Sequence, residues 1–334
     1  MLAADWGFSD LTAPLDVGDI PSKSSACAGC HSQIYDDWQG SRHRASWDNP
    51  VFLAGYIVEP KDFCVYCHAP LAAQTAEVLA NKAWYLSQHP RATAPVPARQ
   101  PEPHAAEGVN CVTCHWRAGS LHGPTAPADG AHPVEAAPEL SSSDFCAGCH
   151  EFAMPEGHDG AVGFTAEPMQ QTHSEWRAWG GGERCQDCHM PGGRHTFRGA
   201  HDTEFLRASV DISADRDGDV VRFCIESVGV GHQLPTGDLF RRFSLQVDSG
   251  SGFEEVASFG RSFRLDADPK TGDIHKRLAA DTSLLPGVPR EVSVAVGAGA
   301  VAWRLQYHFA SEADERNGLL PREALVVLLH EGRR

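Results

Sequence analysis

Hydrophobic and polar positions follow different rules on the two sides of residue 202. Beyond it, Val221, Phe223 and Ile225 alternate with Arg222 and Cys224, and Phe243, Leu245 and Val247 alternate with Ser244, Gln246 and Asp248. Val301, Trp303, Leu305, Tyr307 and Phe309 alternate in the same way with Ala302, Arg304, Gln306 and His308. Alternation with period two predicts half-buried strands, one face in the core and one in water. Gly250, Gly252, Pro269, Gly272, Pro286, Gly287 and Gly297 punctuate them as turns. Residues 202–334 are therefore expected to form an immunoglobulin-like β-sandwich. Within it Cys224 reads as a small packed or half-exposed thiol, with nothing around it arranged to form a thiolate.

Before residue 202 the pattern is sparse and helical. Ile34, Trp38 and Ser41 lie at helical spacing, and Ala72 to Gln88 predicts one helix with Val78, Leu79, Lys82 and Leu86 on one side. Pro90, Pro95, Pro97, Pro101 and Pro103 then forbid a helix and predict an extended surface connection. Residues 1–23 read as an irregular lead-in, 117–140 as Ala-, Gly- and Pro-rich chain, and Ser141 to Asp144 as the N-capping residues of a helix starting there. Large aliphatic residues are too few between 24 and 201 for a conventional core.

One motif explains that scarcity. Cys27-Ala28-Gly29-Cys30-His31 returns as Cys64 to His68, Cys111 to His115, Cys146 to His150 and Cys185 to His189. Zinc knuckles and redox dithiols also use C-x-x-C, but neither requires a histidine directly after the second cysteine. The five-residue pattern is the attachment signature of c-type haem. It implies thioethers at Cys27, Cys30, Cys64, Cys67, Cys111, Cys114, Cys146, Cys149, Cys185 and Cys188. His31, His68, His115, His150 and His189 would be proximal ligands to five irons. Successive first cysteines are 37, 47, 35 and 39 residues apart, but the intervening sequences do not match, so haem size rather than a duplicated fold sets the spacing. The haems are expected to supply the missing core, making their loss a folding defect. The chain divides on this reading into a lead-in (1–23), a pentahaem domain (24–201) and a β-domain (202–334), an α+β protein with sparse helices.

Of 11 cysteines, only Cys224 falls outside the motifs, which leaves no intramolecular disulfide framework. Covalent haem implies maturation outside the cytoplasm, in the periplasm or beyond. The first residues carry no secretory signal and read as a processed terminus, and there is no stretch of 18 apolar residues to span a membrane. A net charge of −16 disfavours nucleic acid and suits a basic docking partner or simple solubility.

The flanking residues resemble the cytochrome c554-related family of multihaem c-type cytochromes. The matching stretches are Trp38-x-x-Ser41-x-His43, Glu107 to Asn110, Cys185 to Pro191 with His195-Thr196-Phe197, and Val230 to Gly237. The resemblance implies His43 and His195 as distal ligands. His132 and His201 are candidates by their nearness to a motif. His232, between a glycine and a Leu-Pro-Thr-Gly turn, would either pin the β-domain to a haem or simply bond its own loop, and His173 and His122 stand in reserve. Met154 and Met169 are the remaining sulfur candidates, and low-potential bis-histidine irons are expected instead. Such irons have no substrate position, so the expected function is electron transfer between redox proteins. The alternative is an oxidoreductase with one open haem acting on a small nitrogen or sulfur compound. A third role, docking or self-assembly, attaches to the β-domain.

Overall fold

Asn49 starts one of the helices: its side chain accepts from the amides of Val51 (2.9 Å) and Phe52 (3.4 Å), with Pro50 in the first turn. The apolar run after it becomes a helix because a cap and a proline are already in place. The computed structural model describes residues 13–18, 23–89, 91–156, 163–267, 274–311, 315 and 320–334. Most of the expected lead-in, and the turn residues Pro269 and Gly272, lie outside the described residues. Helices and strands both occur, an α+β protein. The chain divides into two units: Met1–Cys149, Pro155–Phe164 and Glu183–Arg198 form one, and His150–Met154, Thr165–Gly182 and Gly199–Arg334 the other.

The first unit holds short helices: α1 (Ser25–Ala28), α2 (Ser32–Gln39), α3 (Pro50–Val58), α4 (Asp62–His68), α5 (Ala72–Ala80), α6 (Lys82–Ser87), α7 (Cys111–His115), α8 (Ser143–His150, whose last residue belongs to the second unit) and, further along, Cys185–His189. The single helix expected over 72–88 is two, broken at Asn81. Its side chain is spent elsewhere, donating to Gln100 O (3.1 Å) and Glu102 Oε1 (2.7 Å) while accepting from Gln100 N (2.7 Å). A side chain that bonds distant backbone competes with helix continuation. The buried face is consequently Val78 and Tyr85, whereas Leu79 and Leu86 are 37% and 46% exposed.

The expected lack of a core is also corrected in part. Trp47, Tyr56 and Tyr85 meet edge to face at 5.1–5.6 Å, with Val65, Ala69, Val78 and Ala105 around them. Aromatic rings bury more surface each than aliphatic side chains do, and the polar tips of Trp47 and Tyr85 are satisfied here. Trp47 Nε1 donates to Tyr85 Oη (3.2 Å), and Tyr85 Oη donates to Glu102 (2.7 Å). Residues 117–140, the Ala-, Gly- and Pro-rich chain, contribute to a small sheet: β1 (Trp116–Arg117) turns through Ala118 and Gly119, both at positive φ, onto β2 (Ser120–Gly123), which pairs in parallel with β3 (Glu135–Ala136).

The strands β4 (Glu151–Glu156) and β5 (Gly163–Gln171) form a two-stranded ribbon, and α9 (Thr172–Trp179) comes next. Cys185–His189 of the first unit is α10, and the second unit continues through α11 (Thr203–Ala208) and two antiparallel sheets. One has the order β11 (Arg290–Ala295), β7 (Val220–Ser227), β6 (Val210–Asp217). The other runs β10 (Ile274–Asp281), β9 (Glu254–Ala267), β8 (Arg242–Asp248), β12 (Ala302–His308), β13 (Val326–Arg333). The alternating apolar rows are buried as expected: Val221, Phe223 and Ile225 from β7, Trp303, Leu305 and Tyr307 from β12, with Phe223 edge-on to Trp303 at 5.8 Å. The alternation fails at Ser244 in β8 and at Gln306 and His308 in β12, which are buried too. There His308 Nδ1 is satisfied by Glu315 at 2.6 Å. Cys224 is half-buried.

Gly332 in β13 lies under the indole of Trp303, where an added Cβ would come within 2.7 Å of the ring. Gly332→Ala is expected to destabilise the protein by about 1–3 kcal/mol. Thermal melting of the variant beside the wild type checks this, and an unchanged midpoint would refute the close approach.

Candidate functional site

All ten motif cysteines lie in the first unit on or beside short helices, where residues three apart share a face. Two of the helix starts are fixed by residues inside the motif. Asn110 Oδ1 accepts from Thr113 N (3.2 Å) while Thr113 Oγ1 accepts from Asn110 N (3.3 Å), a reciprocal box at α7. Asp187 accepts from Arg184 N (2.9 Å) at α10. Ahead of α8, Ser142 Oγ accepts from Asp144 N (3.2 Å), the capping expected from the serine run. Ser143 Oγ accepts from Cys185 N (3.1 Å), tying the fourth motif to the fifth.

The imidazoles are oriented before any metal is considered. His68 Nδ1 donates to Ser46 O (2.8 Å), His115 Nδ1 donates to His122 O (2.8 Å) and His189 Nδ1 donates to Arg198 O. A carbonyl only accepts, so in each ring the proton is on Nδ1 and the lone pair on Nε2. That is the tautomer and outer hydrogen-bond arrangement of a histidine that binds metal through Nε2. Burial also holds His115 below the ordinary imidazole value, which keeps it neutral. These residues fit an axial role toward a haem iron. Among the described residues no three His, Cys, Asp or Glu side chains converge as they would around a bare metal ion.

Cysteines of different motifs adjoin. Cys27 of the first motif meets Cys111 of the third, Cys67 of the second meets Cys149 of the fourth, and Cys146 of the fourth meets Cys185 of the fifth. Arg117, buried and bonded to Trp116 O and Thr113 O, lies beside both Cys114 and Cys149, which links the third motif to the fourth.

Two distal candidates lie beside motif histidines. His132 lies with its ring centroid 6.1 Å from that of His31, and His195 lies 6.2 Å from His115. Two imidazoles on opposite sides of one metal, each bonded at about 2 Å, place their centroids about 6 Å apart. His195 is buried enough to fall below the ordinary imidazole value, and its Nδ1 donates to Gly193 O (3.0 Å), leaving Nε2 as ligand atom. His43 packs on Phe197 at 4.1 Å. His122 belongs to the β1–β2 hairpin, its Nε2 donating to Arg117 O (3.1 Å).

In the second unit His201 stacks on Phe309 (4.2 Å) and His173 lies on Trp176 (5.3 Å). His232 Nδ1 donates to Gln233 O (2.7 Å), the own-loop bond. That loop is tied to α9: Thr236 Oγ1 donates to buried Glu175 (2.6 Å). Burial pushes the Glu175 carboxyl up to about 7.

Sequence reasoning missed the residues that hold these rings. Buried Asp37 grips Arg194 through both carboxylate oxygens (2.5 Å each) and accepts from His195 N (3.3 Å); Arg194 holds its carboxyl down at about 2. Nothing in the local pattern of an i, i+4 helical stretch points to a partner 157 residues away.

No known protein family matches the chain, and no curated protein does. Among solved structures it is similar to a penta-heme cytochrome c552 from Thermochromatium tepidum, at 23% identity over 93% of this chain and 98% of that one, with a TM-score of 0.67. The chain has the fold of that protein.

Glu175 supplies a pH test. Its carboxyl titrates near 7 folded and near 4.5 unfolded, so the folded state holds the proton more tightly and stability falls as pH rises through that window. Glu175→Gln, which does not titrate, is expected to match the wild type near pH 4 and to exceed it by about 1–3 kcal/mol above pH 7. Melting at both pH values checks this; equal differences at the two would contradict it.

Proposed function

We propose that this chain is an extracytoplasmic electron-transfer protein carrying five covalently attached c-type haems, most of them closed by histidine on both faces. Each haem, when bound, supplies a one-electron iron couple. The ten motif cysteines hold the macrocycles, and His31, His68, His115, His150 and His189 take the proximal positions. Backbone carbonyls of Ser46, His122 and Arg198 keep three of those rings in the ligating tautomer. His132 pairs with His31 and His195 with His115, with His43 as a further distal ligand.

The observation that carries this reading is the adjacency of cysteines from different motifs. A thioether sulfur is bonded to the edge of its macrocycle, so adjoining sulfurs place haem edges side by side. The succession runs from the first motif to the third and fourth, then to the second and fifth from the fourth. Such contiguity suits a conductor, and closed irons leave no substrate position. The likeness to a penta-heme cytochrome supports the same reading. Residues 202–334 are read as an immunoglobulin-like sandwich that succeeds the haem-bearing segment 24–201 along the chain. The net charge of −16 suits basic faces on redox partners in the periplasm or outside the cell, and the β-domain is a docking or self-assembly module.

Intact mass of the matured protein should give five haems per chain, and electron paramagnetic resonance of the oxidised protein only low-spin signals. A high-spin signal in the wild type would move the assignment to an oxidoreductase with an open haem. His132→Ala and His195→Ala are each expected to convert one low-spin signal to high-spin; an unaltered spectrum in either would remove that histidine from the ligand set.

A further inference from the structure

Phe197 has a backbone that its residue type does not favour. Its φ is +46°, and among the described residues only Ala118 shares a positive φ without being glycine. Ala118 is explained by the tight hairpin turn it makes with Gly119. A bulky residue held in the left-handed region is strained and persists only where its surroundings impose it.

The surroundings are imidazoles. The Phe197 ring lies 4.1 Å from the His43 ring at 50° and 5.7 Å from the His195 ring, edge to face at 87°. The next residue, Arg198, presents its carbonyl to His189 Nδ1. Three residues earlier, Arg194 is gripped by buried Asp37, which also accepts from the amide of His195. The strap 194–198 is thus pinned at its start by Asp37 and at its end by His189. Turning the backbone at Phe197 lets the ring face His43 and His195 while the following carbonyl faces back to His189. An extended or helical φ at this position would direct one of the two away.

We propose that Phe197 is a positioning residue that sets the ring planes of His43 and His195 together and holds the His189 bond, so that three irons respond to one side chain. The proposal rests on the reading of these histidines as axial ligands. Axial ring orientation determines the low-spin signal of an iron, and hydrogen bonding to a ligand tunes its potential, so the role is visible in spectra and not only in stability.

The test is electron paramagnetic resonance and a redox titration of the matured protein with Phe197→Leu, Phe197→Tyr and Asp37→Asn, each with its haem count by mass. Phe197→Leu is expected to retain five haems while at least two low-spin signals and their midpoints shift together. Phe197→Tyr, which keeps the ring, restores the wild-type spectrum. Asp37→Asn, which loosens the other end of the strap, shifts the His195 signal. Unchanged spectra in Phe197→Leu and Asp37→Asn would overturn the proposal, as would a shift in Phe197→Tyr as large as in Phe197→Leu. If Phe197→Leu does not mature, Asp37→Asn and Phe197→Tyr decide it by the same criteria. A wild type lacking low-spin bis-histidine signals would instead refute the axial-ligand reading itself.

Discussion

An imidazole whose Nδ1–H is held by a backbone carbonyl has only Nε2 to offer, and this bond recurs at His68, His115 and His189. Each acceptor lies outside the motif it serves: Ser46 is 22 residues away from His68, His122 follows His115 by 7, and Arg198 follows His189 by 9. A motif is therefore finished only when another segment has folded back to it. The short helices supply the spacing of cysteines and histidine, and the returning backbone supplies the tautomer.

The same economy governs charge. In a chain of −16, Asp37 is buried and would be costly alone. Arg194 neutralises it with two parallel hydrogen bonds, and the backbone of His195 takes a further share. One buried carboxylate thus fixes where the segment after the fifth motif crosses the helix after the first. Removing Arg194 would leave the buried Asp37 charge uncompensated, whereas Arg194 is itself half-exposed to water.

The β-strands were legible because a period of two survives any tertiary context that buries one face. The exceptions, Ser244, Gln306 and His308, are buried on the second face, where Ser244 Oγ donates to Glu255 and His308 Nδ1 donates to Glu315. Helical expectations fared less well. Asn81 breaks the 72–88 run by bonding to 100–102, and the core around Tyr56 and Tyr85 is aromatic rather than aliphatic. Both outcomes depend on partners remote in sequence, which a local pattern does not carry.

The sequence alone determined the five Cys-x-x-Cys-His stretches, a pattern of neighbouring residues whose two cysteines share a face of a short helix. It also determined the strand faces and the scarcity of aliphatic core before residue 202. Only the tertiary structure decided that His132 lies beside His31, that His195 lies beside His115, and that Phe197 stands between His43 and His195. The physical reason is range. Spacing along a helix is a property of neighbouring residues, whereas the opposite face of a metal is reached by chain that returns from far away.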